Sequence, residues 1–272
     1  MESQVERIAE LEWANYAATL PSAQATPGLD VVLREDVILT SSKAFPTPDA
    51  NHACLLRANA RTVDRLIAEL TDYFQSRGLP VAVYVSPACT PSDLPATLLN
   101  SGFHTLEEEE AWLILEDLPN FRIPPLLPGV AVKRVTKDEV VPFAQVFTTA
   151  FGLPPDFAPA MAQLLEPSIG LPNVSHYLAS HEGQTIGTCS LLRYETFGVL
   201  GSAGVVQGRR RSGAATNLVV QALRDAREQG LKAIVLQTAA GTLLERLLRI
   251  SGFRTAFTRS CYVFSDDLSG QD

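Results

Sequence analysis

A pattern of helix, strand, helix and closing Gly-Phe pair occurs twice in this sequence, and it favours an α/β fold with an internal repeat. In the first copy, a helical pattern ends at Gly78, the strand-like run "VAVYV" follows, and a second helix ends at Gly102-Phe103. In the second copy, "NLVVQALRDAREQG" ends at Gly230, "AIVLQ" follows, and a helix ends at Gly252-Phe253. The two glycines are 24 residues apart in one copy and 22 in the other. We therefore predict two related domains in tandem.

Local signals predict where these helices begin and which face they bury. In the second copy, Thr242 and Glu245 form a capping box at the start of the last helix. In the first copy, Thr90 is the predicted N-cap and Pro91 the first helical residue. The first helix of the first copy carries apolar residues at helical spacing, which predicts a buried face made of Val63, Leu66, Ile67, Leu70 and Phe74.

The charge of the chain divides at a proline-containing segment. Residues 1–128 hold 8 Lys/Arg and 18 Asp/Glu, a net charge of −10, whereas residues 129–272 hold 14 and 12, a net of +2. The prolines of "EDLPNFRIPPLLPGV" disfavour continuous helix or central strand. We predict an N-terminal domain over 1–118, a linker over 119–129 and a C-terminal domain over 130–272. A polyanionic ligand would prefer the second half, and the first half would repel nucleic acid, so no nucleic-acid partner is predicted.

Several classes of protein are disfavoured by composition. No run of about eighteen apolar residues occurs, so no membrane association is predicted. The acidic N-terminus lacks the order of a signal peptide, and the four cysteines are widely separated, so we expect a cytoplasmic protein. The four histidines show no ligand spacing, and no metal site is predicted.

The stretch "VVQGRRRSGAATNLVV" places three arginines, Arg209 to Arg211, at the start of a predicted helix that follows a β-like run. Positive charge at the positive end of a helix dipole costs up to about 1 kcal/mol unless an anion lies there. Backbone N–H groups at a helix start have no partner within the helix, and the small residues Gly213 to Ala215 let a phosphate approach them. The segment matches neither the P-loop nor the dinucleotide-binding fingerprint. It therefore predicts a phosphate site of another kind.

The spacing Arg210-x-x-Gly213-x-Ala215 resembles the acetyl-CoA motif of the GCN5-related N-acetyltransferases (GNAT), Q/R-x-x-G-x-G/A between a strand and a helix. The resemblance implies acetyl-CoA as co-substrate, with its pyrophosphate held by the turn and its pantetheine arm by the end of the strand. Carried over residue by residue, it implies a CoA-binding set of Val205, Val206, Gln207, Arg210, Arg211, Ser212, Gly213, Ala214 and Ala215.

The order of elements extends this resemblance over roughly residues 130–264. It implies an α/β (α+β) fold, with tandem acyl-CoA N-acyltransferase domains whose mixed, mostly antiparallel sheets are flanked by helices. The first half resembles the later part of the same fold, but no R-x-x-G-x-G/A motif precedes Thr62. We interpret it as a degenerate copy that does not bind the cofactor.

The sequence departs from the family at its usual catalytic positions. Many relatives carry a tyrosine proton donor four residues before the Gly-Phe pair, where this chain has Leu248. The usual asparagine near the short helix is replaced by Ala240 or Gly241, and the strand "FGVLGSAGVV" lacks the usual glutamate. Three explanations stay open: the acceptor amine arrives neutral, another group or a water chain moves the proton, or no transfer occurs.

Glu195 and Tyr194 are the candidate replacements, because they end the third strand of this domain, near the expected acceptor. The simpler interpretation is a solvated strand end. His176 is more typical of a surface or half-buried histidine, and Cys189 and Cys261 of small core residues.

The segment 151–172 is expected to border the acceptor, and it combines apolar residues with Asp156 and Glu166. We predict an acetyl-CoA-dependent N-acetyltransferase for a small amine or amino-acid-like acceptor. The alternative is a non-catalytic protein that binds CoA as a sensor or scaffold. A homodimer is one assembly such a protein could form.

Overall fold

The computed structural model describes residues 3–264 of the 272-residue chain. Its helices are α1 (Gln4–Ala25), α2 (Val63–Gln75), α3 (Leu94–Asn100), α4 (Val140–Ala150), α5 (Phe157–Leu165), α6 (Ala214–Glu228) and α7 (Leu243–Ile250). Its strands are β1 (Leu29–Leu33), β2 (Ile38–Ser42), β3 (His52–Cys54), β4 (Ala82–Val85), β5 (Phe103–Thr105), β6 (Glu110–Leu115), β7 (Val130–Arg134), β8 (Val174–His181), β9 (Gln184–Tyr194), β10 (Phe197–Val205), β11 (Ala233–Ala239) and β12 (Arg254–Phe264).

The described residues form two units, each made of more than one segment of the chain. The first comprises residues 3–20, 28–113 and 237–264, and the second comprises 21–27 and 114–236. These units do not follow the linear division into 1–118 and 130–272. Strand β12, from the end of the chain, pairs with β4 and β5 and lies in the first unit. Strand pairing depends on matching edges rather than closeness along the chain, so local patterns did not reveal this arrangement.

The first unit has the strand order β1-β2-β3-β4-β12-β6, with β5 also paired to β12. The β3–β4 pair is parallel and is connected through α2, whereas β1–β2, β2–β3 and β12–β4 are antiparallel. The predicted face of α2 is confirmed, because its buried residues are Val63, Leu66, Ile67, Leu70 and Phe74. These side chains pack in one core with Leu94 and Leu98 of α3.

The second unit has the strand order β7-β8-β9-β10-β11. Its β7–β8, β8–β9 and β9–β10 pairs are antiparallel, and the parallel β10–β11 pair is connected through α6. On α4 and α5, Val140, Phe143 and Leu165 pack with Leu178 of β8. The order strand, helix, parallel strand, short helix, strand thus occurs in both halves. The mixed, mostly antiparallel α/β fold expected from the sequence is confirmed.

One predicted helix start is confirmed and one is wrong. The N–H of Glu245 donates to Thr242 Oγ1 at 3.3 Å, and the Glu245 carboxylate accepts from Gly241 N at 2.7 Å. The helix predicted from Thr90 begins later, because α3 starts at Leu94 with Asp93 as its N-cap. Thr90 donates instead to the backbone oxygens of Leu56 (2.8 Å) and Ala58 (3.0 Å). Thr90 therefore forms hydrogen bonds with residues distant in the sequence instead of capping α3.

Candidate active site

Strand β10 leads into residues 206–213, which we name the basic turn, and it loses its regular pairing before it reaches them. Its parallel pairing with β11 runs from Phe197 to Leu200, and its register with β9 shifts between Gly201 and Gly204. Ser202 lies in this bulge with φ +51°, and its carbonyl accepts a hydrogen bond from Thr188 Oγ1 at 2.8 Å. In the described part of the chain, β10 has no further pair with β11 beyond Leu200. The backbone N–H and C=O groups of its last residues that face β11 are therefore free to form hydrogen bonds with a ligand.

Within residues 3–264, the end of β10 keeps strand hydrogen bonds to β9 alone. Val205 is buried and pairs with Gly187, and Val206 N donates to Ile186 O at 2.9 Å. Gln207 is exposed and opens a 3-10 turn that ends at Arg209. These residues lie where the sequence predicts the pantetheine-binding end of the strand.

Only some of the backbone N–H groups in the turn between β10 and α6 form hydrogen bonds. Ser212 N donates to Arg209 O at 3.0 Å, and Ala214 N donates to Ser212 Oγ at 3.3 Å. Within residues 3–264, several backbone amides of this turn have no hydrogen-bond partner: those of Arg211, Gly213, Ala215 and Thr216. They lie at the positive end of the 15-residue helix α6. Such unpartnered amides at a helix N-terminus suit an anionic oxygen.

The three arginines have different surroundings. Arg209 donates to Gln184 Oε1 at 3.1 Å and to Glu182 Oε2 at 3.5 Å, in the turn between β8 and β9. Arg210 and Arg211 are exposed, and their guanidinium groups have no partner among the described residues. Two of the three positive charges are therefore available for a bound anion.

Gly213 caps α6 for a reason that the sequence did not show. It is left-handed, with φ +87°, and a Cβ added to it would lie 2.8 Å from Leu127 Cδ1. The missing side chain therefore makes room for residue Leu127 rather than for a phosphate. Ala214 is fully buried, whereas Ala215 is exposed.

Tyr194 and Glu195 lie at the hairpin turn between β9 and β10. Tyr194 pairs with Phe197, and Glu195 is exposed with φ +50°. At about 3.3 Å per residue, β10 separates this turn from Val205 by roughly 26 Å. Their catalytic role stays a prediction, and this separation from the basic turn does not favour it.

The positions of the usual family tyrosine and asparagine lie in the first unit. Leu248 is half-buried on α7, and Ala240 N donates to Glu109 O at 2.8 Å. Neither Leu248 nor Ala240 has a side chain that can transfer a proton.

A buried hydrogen-bond chain in the second unit centres on His176, so the expectation of a surface or half-buried histidine is wrong. The Ser168 hydroxyl donates to Leu165 O at 2.6 Å, so its oxygen accepts from His176 Nε2 at 2.8 Å. His176 Nδ1 then accepts from the Ser190 hydroxyl at 2.7 Å. Burial lowers the pKa of His176 to about 4, which keeps the imidazole neutral. Both ring nitrogens are occupied, so His176 is not a free base.

The cysteines of the chain are buried and unreactive. All four cysteines are buried and reduced, and burial raises the pKa of Cys189 to about 12 and of Cys261 to about 11. Such thiols are poor nucleophiles. Residues 3–264 contain no group of three or more His, Cys, Asp or Glu placed to hold a metal ion. None of the described helices has the length and hydrophobicity needed to cross a bilayer.

Comparison with known proteins agrees with this geometry. Residues 142–253 match the model of the acetyltransferase (GNAT) family. A GCN5-related N-acetyltransferase from Kribbella flavida aligns over 97% of this chain and 95% of its own, with a TM-score of 0.69 and 14% identity. One from Sphaerobacter thermophilus aligns over 94% and 90%, with a TM-score of 0.59 and 16% identity.

A tandem GNAT protein from the clavulanic acid biosynthesis pathway aligns over 96% of this chain and 94% of its own, with a TM-score of 0.61 and 15% identity. No curated protein sequence matches the chain significantly. At these identities the solved structures establish a shared fold, and the family model covers the region of the basic turn. Residues 142–253 therefore match the acetyltransferase (GNAT) family, and the described chain shares its fold with GCN5-related N-acetyltransferases of known structure.

Proposed function

We propose that this protein transfers the acetyl group of acetyl-CoA to the nitrogen of a small amine or amino-acid-like acceptor. GNAT proteins as a family carry out acyl-CoA-dependent acetyl transfer. The observation that carries the proposal for this chain is the turn from Gln207 to Gly213, with its unpartnered amides and two unpaired guanidinium groups. A pyrophosphate supplies both the negative charge and the acceptor oxygens that these donors need.

Each part of the turn has a distinct task in this proposal. The amides of Gly213 and Ala215 would donate to the pyrophosphate oxygens, and Arg210 and Arg211 would add charge-assisted bonds. The free edge of β10 beyond Leu200 would bind the amides of the pantetheine arm, much as another strand would. These are the residues of this chain that fit acetyl-CoA.

The reaction forms a C–N bond between the acceptor nitrogen and the thioester carbon, and it breaks the C–S bond. The nitrogen loses a proton, and the departing thiolate of CoA gains one. Among the described residues of the second unit, β10 has no ionisable side chain, and His176 is held between two serines. We therefore propose that the acceptor reacts as the neutral amine and that water carries the protons.

The acceptor class is inferred from the segment around α5. Asp156 and Glu166 flank this helix and are exposed, and Phe157 and Met161 between them are partly buried. Two carboxylates beside apolar side chains favour a small ligand that carries positive charge before it reacts.

The first unit is proposed to be a degenerate copy that binds no CoA. At the turn before α2, Asn59 O accepts from the amides of Thr62 and Val63 at 3.0 Å, and Asn59 Oδ1 accepts from Arg61 N at 2.9 Å. Beyond β3 the gap to the β4 segment is closed, because Arg57 forms a parallel bridge with Thr90. The amides and the strand edge that are free in the second unit are therefore used internally here.

Calorimetric titration of CoA, with assay of thiol release from acetyl-CoA against a panel of amines, tests the proposal. We expect one CoA per chain and release that depends on the amine. Leu248 and the absence of an ionisable group on β10 favour a second candidate function, a CoA sensor without turnover. Tight CoA binding without release for any amine would support the sensor, and no CoA binding would overturn both.

A further inference from the structure

The proline-containing segment between the halves is hydrogen-bonded to side chains of α6. We name residues 118–130 the strap. At the C-terminal part of α6, Arg227 donates to Leu118 O at 3.1 Å (Nε) and 3.0 Å (Nη2), and also to Phe121 O. At the N-terminal part, Asn217 holds Leu127 and Val130. The strap therefore runs along the helix and ends beside the basic turn.

Asn217 is fully buried, and its side-chain amide is used completely by the strap. Its Oδ1 accepts from Leu127 N at 2.8 Å, and its Nδ2 donates to Leu127 O and Val130 O, both at 2.9 Å. Asn217 lies in the first turn of α6, where its own N–H donates to Gly213 O at 3.0 Å. A buried side chain with three backbone bonds of this length fixes the segment it holds.

The strap contacts Gly213 and Asn217, the two residues that bracket the free amides of Ala215 and Thr216. Asn217 follows Ala214, Ala215 and Thr216, and Gly213 precedes them with Leu127 packed where its side chain would be. The first turn of a helix frays easily because its amides lack intrahelical bonds, and a left-handed glycine adds freedom. Contacts at Gly213 and Asn217 restrict that motion from both sides.

We propose that Asn217 is a positioning residue for CoA binding, which acts through the strap to hold the pyrophosphate-binding amides of α6 in place. This inference rests on the proposed function of the basic turn. Binding sites gain affinity when the donors are fixed before the ligand arrives, because ordering them upon binding costs free energy. Asn217 itself is buried and bonded to the strap, so its effect on CoA is indirect.

The test compares Kd for CoA and for ADP, which carries the pyrophosphate without pantetheine, by titration calorimetry. Asn217→Leu should weaken both ligands about tenfold. Leu127→Ala, which keeps Asn217 but removes packing over Gly213, should weaken both several-fold. Gln221→Ala, one turn further along α6 with its amide bonded to Asp225, should bind like the wild type.

A second control separates positioning from general loss of stability. Tyr177→Phe removes a buried hydroxyl that donates to Asp225 at 2.7 Å, and it should lower Tm without changing Kd for CoA. Folded Asn217→Leu and Leu127→Ala proteins that bind CoA within twofold of the wild type would overturn the inference. So would an equal loss of affinity in Tyr177→Phe. If Asn217→Leu does not fold, the Kd of Leu127→Ala for CoA and ADP decides the test. A wild type that binds no CoA would overturn the proposed function itself.

Discussion

Arg259 Nη1 lies 3.4 Å from Glu12 Oε1, so a residue of the last strand is paired with a residue of the first helix 247 positions away. Both side chains are buried, at 4% and 0% exposure. The guanidinium carbon lies 4.1 Å from the ring centroid of Tyr84 and 4.8 Å from that of Trp112. This cluster joins three segments of the first unit: α1, the strands β4 and β6, and β12.

Loss of the Arg259 charge should destabilise the protein strongly. Arg259→Met leaves Glu12 buried without its cation, and such a change typically costs about 3–5 kcal/mol in the free energy of unfolding. Urea denaturation followed by tryptophan fluorescence measures it. The double variant Arg259→Met with Glu12→Leu should recover part of the loss, because the fully buried carboxylate is removed and only the partly exposed Glu110 loses its bond to Arg259. A single variant as stable as the wild type would contradict this account.

Arg210 should contribute more to CoA binding than its neighbour Arg209. Arg210→Ala removes an unpaired guanidinium, and losing a charge-assisted bond to phosphate typically costs about 1.5–3 kcal/mol, or one to two decades in Kd. Arg209→Ala is the matched control, because that side chain is already bonded to Glu182 and Gln184. Titration of CoA at two salt concentrations measures both variants. Equal effects of the two substitutions would argue against a specific phosphate contact by Arg210.

Gly213→Ala should destabilise the second unit, because an L-residue at φ +87° is strained and its Cβ would meet Leu127. The left-handed conformation alone costs about 1–2 kcal/mol. Gly208→Ala, in the same turn with nothing within 4 Å of an added Cβ, should change stability by less than about 0.5 kcal/mol. Thermal melts compare the two variants. A Gly213→Ala variant as stable as the wild type would show that the packing of Leu127 does not require a glycine at position 213.

His176 should make the protein sensitive to mild acid. Its pKa is lowered by burial from 6.5 to about 4, so between these values the unfolded state binds the proton that the folded state excludes. Stability is therefore full above pH 6.5 and falls as the pH drops, by up to about 3 kcal/mol near pH 4. Burial also lowers the pKa of His52, to about 3, which adds to the effect.

His176→Gln keeps an amide that can bond to Ser168 and Ser190 but does not titrate. The free energy of unfolding of this variant, relative to the wild type, should rise by about 3 kcal/mol between pH 7 and pH 4. Urea titrations at both pH values measure the difference. A constant difference across this range would show that His176 does not contribute to acid sensitivity.

The sequence by itself determined several local elements and predicted an anion-binding turn. The spacing of Val63 to Phe74 predicted the buried face of α2, and Thr242 with Glu245 predicted the start of α7. The order of a strand, three arginines, a glycine and a helix predicted the basic turn. Each of these features depends on residues within one or two helical turns of each other, so their pattern is visible in a single stretch of chain.

Only the tertiary structure decided which distant residues meet. It placed β12 with β4, paired Arg259 with Glu12, and put Tyr194 and Glu195 at the far end of β10 from the basic turn. It also packed Leu127 against Gly213, and it hydrogen-bonded Asn217 to Leu127 of the strap, 90 positions earlier. Such contacts follow from the matching of buried polar groups and free strand edges in space, and no spacing along the chain encodes that matching.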